Sequence, residues 1–307
     1  MRSMLSLLGG RRAPHATSDG PGLQEALIAW AAFAIVAAGI WITYARLPAD
    51  DLYNVTGTGV AAGASRTLVF LGWPVALAAV GLEAIAVERL LAGPLAPAAR
   101  IAAAAAAVAS VALCATIGWP GVLDPNDLDA RPANVPAALG VGLALALTLA
   151  AARLRGVGTY TPLTRGDRLA IAAAPVVVLL SIPWILAGVG VEMTDAVHLG
   201  NHEGIDGVLL AATAFGLRRP VRRMRPTLLR PLTGAYLALI ATYGLAVAAD
   251  DFWIEQVQRR GMVEHGLPYV LKPGPRPAWA ALLAAAALAY AVAFRVGKEP
   301  GSSTARR

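Results

Sequence analysis

Eight long apolar stretches divide the sequence and are separated by shorter polar segments. An α-helix of about 20 apolar residues crosses a hydrocarbon core about 30 Å thick. Since every backbone polar group inside a bilayer must be hydrogen-bonded internally, such stretches fold as helices. The sequence therefore predicts an all-α, polytopic transmembrane helical bundle of about eight spans. The predicted spans are residues 23–44, 67–87, 101–119, 135–152, 169–188, 197–217, 229–249 and 278–294.

Composition supports this class, because 57% of the residues are hydrophobic and only 15% are charged. We expect one transmembrane domain over residues 23–297, whose main partner is the lipid bilayer. The flanking segments 1–22 and 298–307 are rich in Gly, Ser and Arg and are expected to be mobile cytoplasmic tails. No internal repeat divides the chain into two halves.

The basic residues predict the orientation of the bundle. If the N-terminus is cytoplasmic, most of the 26 lysine and arginine residues lie in inner loops and tails, and most acidic residues lie outside. The positive-inside rule then makes both termini cytoplasmic. The net charge of +7 therefore reflects topology and does not indicate a nucleic-acid partner. Lysine is rare while alanine and arginine are abundant, which is typical of GC-rich bacteria and favours a bacterial plasma membrane.

The strongest indication of function lies in the segment 192–217, which is predicted to be one helix with two distinct faces. At 100° per residue, one face carries four polar side chains and the other carries small residues. The polar face comprises Asp195, His198, His202 and Asp206. The small face comprises Gly200, Gly204, Gly207 and Ala211. Small residues at this spacing allow two helices to approach closely inside a bilayer.

Two imidazoles at positions i and i+4 can bind one divalent metal ion, and Asp195 or Asp206 could add an oxygen ligand. A catalytic zinc ion usually has three protein ligands and one open position. A second element would then contribute a ligand or a general base, and the candidates are Asp250, Asp251, Glu264 and His265. Two alternatives remain open. His198 and His202 could form a hydrogen-bonded polar cap, or they could line a path for protons or substrate.

Other polar residues are weaker candidates. Glu83 lies inside the second span, where an ionisable residue is either functional or extends toward the inner arginines. Asp124 and Asp127 belong to a proline-rich loop and could bind a cation or simply form turns. The pair Asp50–Asp51 lies in the first outer loop.

Two further features concern local structure. The string DDFWIEQVQRRG after the seventh span has acids first, basic residues last and Gly261 as a stop, which predicts a separate short interfacial helix or lid. Cys114 is the only cysteine, so the chain cannot form an internal disulfide, and we expect a buried thiol.

Three short motifs resemble parts of known families. NDLDARP at residues 126–132 resembles the Asp-rich motif of membrane prenyltransferases of the UbiA type. The Asp50–Asp51 pair is similar to that of polyprenyl-phosphate-sugar glycosyltransferases. The spacing of His198 and His202 resembles that of transmembrane hydrolases related to adiponectin receptors and alkaline ceramidases. The other motifs of the prenyltransferases and of the hydrolases are missing from the sequence, and the glycosyltransferase chains are generally much longer. We therefore assign the chain to no family.

These observations favour a membrane-embedded enzyme with an outward-facing polar site that holds a divalent metal and acts on a lipid-linked or amphipathic substrate. In that hypothesis, Asp251 or Glu264 is the general base. The first alternative is a proton-coupled transporter that uses Glu83 together with the His/Asp face. The second is a noncatalytic scaffold or assembly protein.

Overall fold

The computed structural model of the protein describes residues 20–52, 55, 57–118, 129–158, 162–268 and 270–295. Most of the two predicted tails, residues 1–19 and 298–307, lies outside these ranges. Within them the regular secondary structure is helical, apart from one isolated bridge between Leu52 and Leu199. We number the described α-helices in chain order as α1 (Gln24–Arg46), α2 (Gly59–Phe70), α3 (Ala76–Leu91), α4 (Pro97–Cys114), α5 (Asn134–Arg155), α6 (Arg165–Gly188), α7 (Glu203–Val221), α8 (Leu229–Trp253) and α9 (Pro277–Ala289).

Short π-helical segments join or extend three of these helices. Leu71–Val75, which contains Pro74, joins α2 and α3 into one helix of 33 residues. Ile254–Gln258 extends α8 to 30 residues, and Tyr290–Phe294 extends α9. Seven helical stretches in the described part of the chain are then long and apolar enough to cross a membrane. The remaining span, α7, carries charged residues in its first and last turns. The prediction of a multi-pass bundle of about eight spans is confirmed.

The helices α3 and α6 differ most in their surroundings. α3 lies in the middle of the bundle and contacts α4, α5, α7 and α8. By contrast, α6 contacts mainly α7 and exposes the apolar side chains of residues 176–180. A continuous exposed apolar surface of this kind marks contact with a membrane. Cys114 is buried, as predicted.

The helices α7 and α8 form the most extensive helix pair in the described part of the chain. Glycines at their interface allow them to approach closely. A Cβ atom on Gly207 would collide with the carbonyl oxygen of Gly244, and one on Gly244 would lie 3.0 Å from the backbone nitrogen of Ala211. Glycine therefore allows backbone contact between the helices. The predicted packing role of the small face is confirmed for Gly207 and Ala211.

The charged residues separate to the two ends of the bundle. The end that we call the Arg-rich end holds several ion pairs, including Arg225 with Glu88 at 2.6 Å and Arg219 with Glu25 at 3.2 Å. The opposite end, which we call the His/Asp end, is defined by His198, His202, Asp251 and Glu255. The helices alternate in direction, so these two groups lie at opposite ends of α7 and α8.

Three predicted helix boundaries are wrong, and all lie at the His/Asp end. The second span, predicted over residues 67–87, begins at Gly59, eight residues earlier. The helix predicted over 192–217 begins at Glu203, because Gly190 and Gly200 adopt positive φ angles of 76° and 115° and residues 189–202 form a loop. The string DDFWIEQVQRRG does not form a separate lid. It continues α8 to Gln258, and the chain turns at Gly261, where φ is 74°.

Candidate metal centre

The loop that carries the histidines is fixed to the bundle by backbone hydrogen bonds. The N–H of Gly200 donates to the carbonyl oxygen of Ala187 at 3.0 Å, at the end of α6. The next N–H, of Asn201, donates to the buried Tyr44 hydroxyl of α1 at 3.0 Å. A Cβ atom on Gly200 would collide with this hydroxyl, so glycine is required there. His202 follows directly and precedes the first residue of α7.

The two imidazoles stack on each other. Their ring centroids lie 4.2 Å apart with an interplanar angle of 23°. The indole of Trp184 lies nearly parallel to the His202 ring, with centroids 6.5 Å apart. The His202 residue is 1% exposed, whereas the His198 side chain keeps 20% of its surface. One imidazole is therefore held in the interior and the other faces the surface.

Backbone carbonyls fix which ring nitrogens carry hydrogen. His198 Nδ1 lies 3.1 Å from the carbonyl oxygen of Leu199, and His202 Nε2 lies 2.8 Å from that of His198. Since a carbonyl oxygen can only accept a hydrogen bond, both nitrogens must donate. The other nitrogens, His198 Nε2 and His202 Nδ1, then carry the lone pairs of the neutral rings. Histidines that bind metals usually donate their second N–H in this way.

Two carboxylates on the extended α8 face these lone pairs. Asp251 Oδ2 lies 3.4 Å from His202 Nδ1, and Glu255 Oε1 lies 3.9 Å from His198 Nε2. Asp251 and Glu255 are four residues apart and therefore share a helical face. A lone pair and a carboxylate oxygen are both acceptors, so a proton or a metal cation between them satisfies both.

One nitrogen from each of His198 and His202 and one carboxylate oxygen of Glu255 lie within 4.8 Å of one another. Ligand atoms that bind one zinc ion at about 2.0–2.2 Å are themselves separated by about 3–4 Å. Side-chain movements on the order of 1 Å would bring these three atoms to that spacing. The donor set of two imidazoles and one carboxylate suits Zn²⁺ and neighbouring transition metals.

A backbone hydrogen bond holds the carboxylate of Asp251 in place, and an ion pair holds that of Glu255. Asp251 Oδ2 accepts the N–H of Gly204 at 2.8 Å, at the N-terminus of α7. Glu255 pairs with Arg259 one turn later, at 3.3 Å. Arg259 is the cation that a bound metal would have to displace or accommodate. Its side chain is one-third exposed and lies on the solvent side of the cluster.

The pKa values of the two histidines shift in opposite directions. Burial, together with the charge of neighbouring His202, lowers the pKa of His198 to about 4. Burial also acts to lower the pKa of His202, but the hydrogen-bonding and negative charge of Asp251 outweigh it and raise that pKa above its usual value. His202 therefore competes most strongly for a proton.

A second group of buried and half-buried ionisable side chains lies next to this cluster and comprises Asp206, Arg66 and Glu203. Asp206 is fully buried and accepts a hydrogen bond from Asn201 Nδ2 at 3.1 Å. Its other oxygen, Oδ1, has no hydrogen-bond partner among the described residues. Arg66 of α2 is 2% exposed, and its positive charge acts on both Asp206 and Glu203. Asp206, predicted as a metal ligand, thus pairs with Asn201 instead of joining the three-atom cluster.

The other predicted site residues are dispersed. Asp50, Asp51, Asp195, Glu264 and His265 are exposed at the His/Asp end, in loops or in a single 3₁₀ turn. Asp124 and Asp127 lie outside the described residues. Glu83 is buried in α3, and its backbone lies toward the Arg-rich end. Of the predicted residues, the structure brings together His198, His202 and Asp251.

Glu255 is the member of this cluster that the sequence analysis does not identify. The sequence does contain a pattern that points to it, because Glu255 follows Asp251 by one helical turn in DDFWIEQ and so shares its helical face. The predicted separate lid would carry both residues, and that prediction hides their position on the extension of α8. Glu255 also lies in a π-helical segment, a feature often found at functional sites.

Comparison with other proteins identifies no relative. The chain matches none of the protein-family models, curated proteins or solved structures with which it was compared.

Proposed function

We propose that this chain is a membrane-embedded, metal-dependent enzyme that acts on a lipid-linked or amphipathic substrate at the His/Asp end. The observation that carries the proposal is the pairing of two imidazole lone pairs with Asp251 and Glu255. His198, His202 and Glu255 would hold a divalent cation such as Zn²⁺. A cation there would polarise a substrate oxygen or a water molecule.

Access to the cluster favours a catalytic over a structural metal. Structural zinc sites usually have four protein ligands and are closed, whereas catalytic sites keep one position open. The cluster offers three ligand atoms, and the side chains of His198 and Asp251 keep 20% and 12% of their surface. Asp251 lies beside the metal ligands and would serve as general base, oriented by its hydrogen bond from Gly204.

The surroundings of the cluster favour an amphipathic substrate. The extended α8 is 30 residues long, about 45 Å at 1.5 Å per residue. A helix of that length exceeds a hydrocarbon core of about 30 Å, so one end reaches the headgroup region. Val189, Val191 and Met193 in the histidine loop expose about half of their surface, and Met262 exposes 68%. These apolar side chains would contact lipid beside the site.

The placement in the cell follows from the charges at the two ends. The ion-paired arginines at the Arg-rich end would face the cytoplasm of a bacterial cell, with both termini on that side. The metal centre would then face outward from the plasma membrane.

Metal analysis of the purified protein tests this proposal. We expect near-stoichiometric zinc or another transition metal in the wild-type protein, and at least a tenfold decrease in metal affinity in Glu255→Gln. The double variant His198→Ala/His202→Ala should contain none. His265→Ala removes an exposed histidine and Glu192→Gln an exposed carboxylate, so both should keep the wild-type metal content.

Addition of Zn²⁺ to chelator-treated protein should raise the melting temperature of the wild type but not that of Glu255→Gln. The proposal of a metal-dependent enzyme is wrong if the wild-type protein neither contains nor binds a divalent metal while it supports full growth of its native host. Unaltered metal binding in the double histidine variant would place the metal elsewhere and would also overturn the proposal.

A further inference from the structure

A lateral cavity of about 640 Å³ lies between α3, α4 and α8, away from the metal centre. Its volume falls within the range of about 300–1,000 Å³ that is typical of small-molecule sites. The exposed side chains of Val108, Val111 and Leu232 form part of its lining. These residues belong to helices apolar enough to cross a membrane, so the cavity opens toward the hydrocarbon of the bilayer.

One polar side chain in the lining of this cavity, that of Glu83, has an oxygen atom without a hydrogen-bond partner among the described residues. Tyr236 donates its hydroxyl hydrogen to the carbonyl oxygen of Leu77 at 2.6 Å, and Thr233 donates to Leu229 at 2.7 Å. Glu83 is 2% exposed, and its Oε2 atom has no hydrogen-bond partner among the described residues. A buried carboxyl oxygen without a partner is costly, so a ligand that supplies one would gain affinity here.

The surroundings of Glu83 determine what it can offer a ligand. The nearby Ser110 hydroxyl donates its single hydrogen to the carbonyl oxygen of Gly140 at 3.0 Å. The ion pairs among the described residues do not include Glu83. A buried carboxyl group without a cation beside it is most stable as the uncharged acid. Its oxygen Oε2, which has no partner among the described residues, can then accept a hydrogen bond from a donor on a ligand.

We propose that this cavity binds a single-chain lipid with a neutral hydroxyl headgroup, such as a long-chain alcohol, whose O–H donates to Glu83 Oε2. The apolar walls would surround the alkyl chain, and the lateral opening would admit it from the bilayer. An alkyl chain alone would leave the carboxyl oxygen without a partner. An anionic headgroup would lack the donor hydrogen that Oε2 needs.

Photolabelling in phosphatidylcholine nanodiscs tests this site. The probes are hexadecanol with a photoreactive diazirine in the chain, its methyl ether and the matching primary amine. We expect the alcohol to label α4 or α8 saturably, and unlabelled hexadecanol to displace it. The methyl ether cannot donate a hydrogen bond, so it should bind about three- to tenfold more weakly.

Glu83→Leu should reduce labelling by the alcohol to the level of the ether. Ala112→Trp narrows the mouth of the cavity from an exposed position and should reduce labelling by both probes. Val176→Trp, on the exposed surface of α6, is the matched control and should change neither.

Equal labelling of the wild type by alcohol and ether would overturn the hydroxyl assignment, whether or not Glu83→Leu folds. Stronger saturable labelling by the amine would also overturn it, because that result requires a carboxylate at Glu83. Metal content is measured separately on the same protein, so failure of this site leaves the metal centre unaffected.

Discussion

His198 and His202 are chemically similar but differ in how readily they take a proton. The pKa of His198 is lowered to about 4, first by burial and then by its neighbour His202. That of His202 is raised, because Asp251 outweighs the effect of burial. Protonation removes the lone pair that a metal needs. If both histidines bind a metal ion as proposed, protonation should disrupt the two ligands in separate ranges of pH.

We expect the affinity of the purified protein for Zn²⁺ to fall as the pH decreases through the raised pKa of His202. His198 should add a further loss only near pH 4. Asp251→Asn removes the negative charge that raises the pKa of His202, so the midpoint of the pH profile should move to lower pH. Zinc titration against a competing chelator at successive pH values measures this midpoint. The same midpoint in Asp251→Asn and wild type would contradict the assignment.

At the scale of single residues, the sequence identified part of the site. The spacing of His198 and His202 indicated a metal pair, although the two rings meet through a loop and a helix N-terminus instead of along one helical face. Asp195 was predicted from helical periodicity, and that periodicity does not apply to an exposed loop. Glu255 depends on the docking of α8 beside the loop. A hydrophobic pattern indicates which face is buried but not which neighbour covers it.

Among the helices, the pair α7–α8 controls the geometry of the site. His202 precedes α7 and the carboxylates belong to α8 and its extension, so the separation of these two helices sets the distance from His202 to Asp251. Gly207 and Gly244 allow that separation to be small. Any side chain at these glycines must push the helices apart or strain the backbone.

Gly207→Ala should therefore destabilise the bundle by about 1–3 kcal/mol, as expected for overpacking of a close contact. Gly216→Ala is the matched control on the same helix, because a Cβ atom there meets nothing within 4 Å. Thermal unfolding in detergent measures both variants. Equal melting temperatures for Gly207→Ala and Gly216→Ala would show that close packing at Gly207 does not stabilise the protein.

The helices themselves were largely predictable, because long apolar stretches in a bilayer have almost no alternative to helix formation. The ends were not. The acidic start of DDFWIEQVQRRG indicated a new helix, but the helix continues directly from α8, because no glycine or proline lies between Gly244 and Gly261. The start of α7 was hidden by an apparent helical pattern that Gly190 and Gly200 break with positive φ angles.

For the whole molecule, orientation decides which side of the membrane the candidate metal centre faces. On a background of Cys114→Ala, we expect Asp195→Cys at the His/Asp end to react with a membrane-impermeant thiol reagent in intact cells. Thr227→Cys lies in the exposed turn between α7 and α8 and should react only after the cells are permeabilised. Both positions are exposed, so burial does not confound the comparison. The reverse pattern of labelling would place the metal centre in the cytoplasm.

The distinction between enzyme and transporter also belongs to this scale. An enzyme needs only the His/Asp end, whereas proton-coupled transport would also require Glu83 in α3. Glu83→Gln should therefore retain substantial activity in growth complementation of the native host. His202→Ala or Glu255→Gln should abolish it, because each removes a proposed metal ligand.

Yield and melting temperature are the controls for these variants, because loss of activity with a lower yield indicates a packing defect. Complete loss of growth complementation by a Glu83→Gln protein that is stable and metal-loaded would contradict the enzyme hypothesis and favour proton-coupled transport.

The length of the extended α8 would make the candidate metal centre sensitive to bilayer thickness. At 30 residues, this helix exceeds the hydrocarbon core by about 15 Å. A long helix responds to hydrophobic mismatch by tilting. The carboxylates would tilt with α8, whereas His198 is held by a loop fixed to α1 and α6. We therefore expect the distance between His198 and Glu255 to change with the acyl-chain length of the surrounding lipids, which would make the membrane itself an effector of the site.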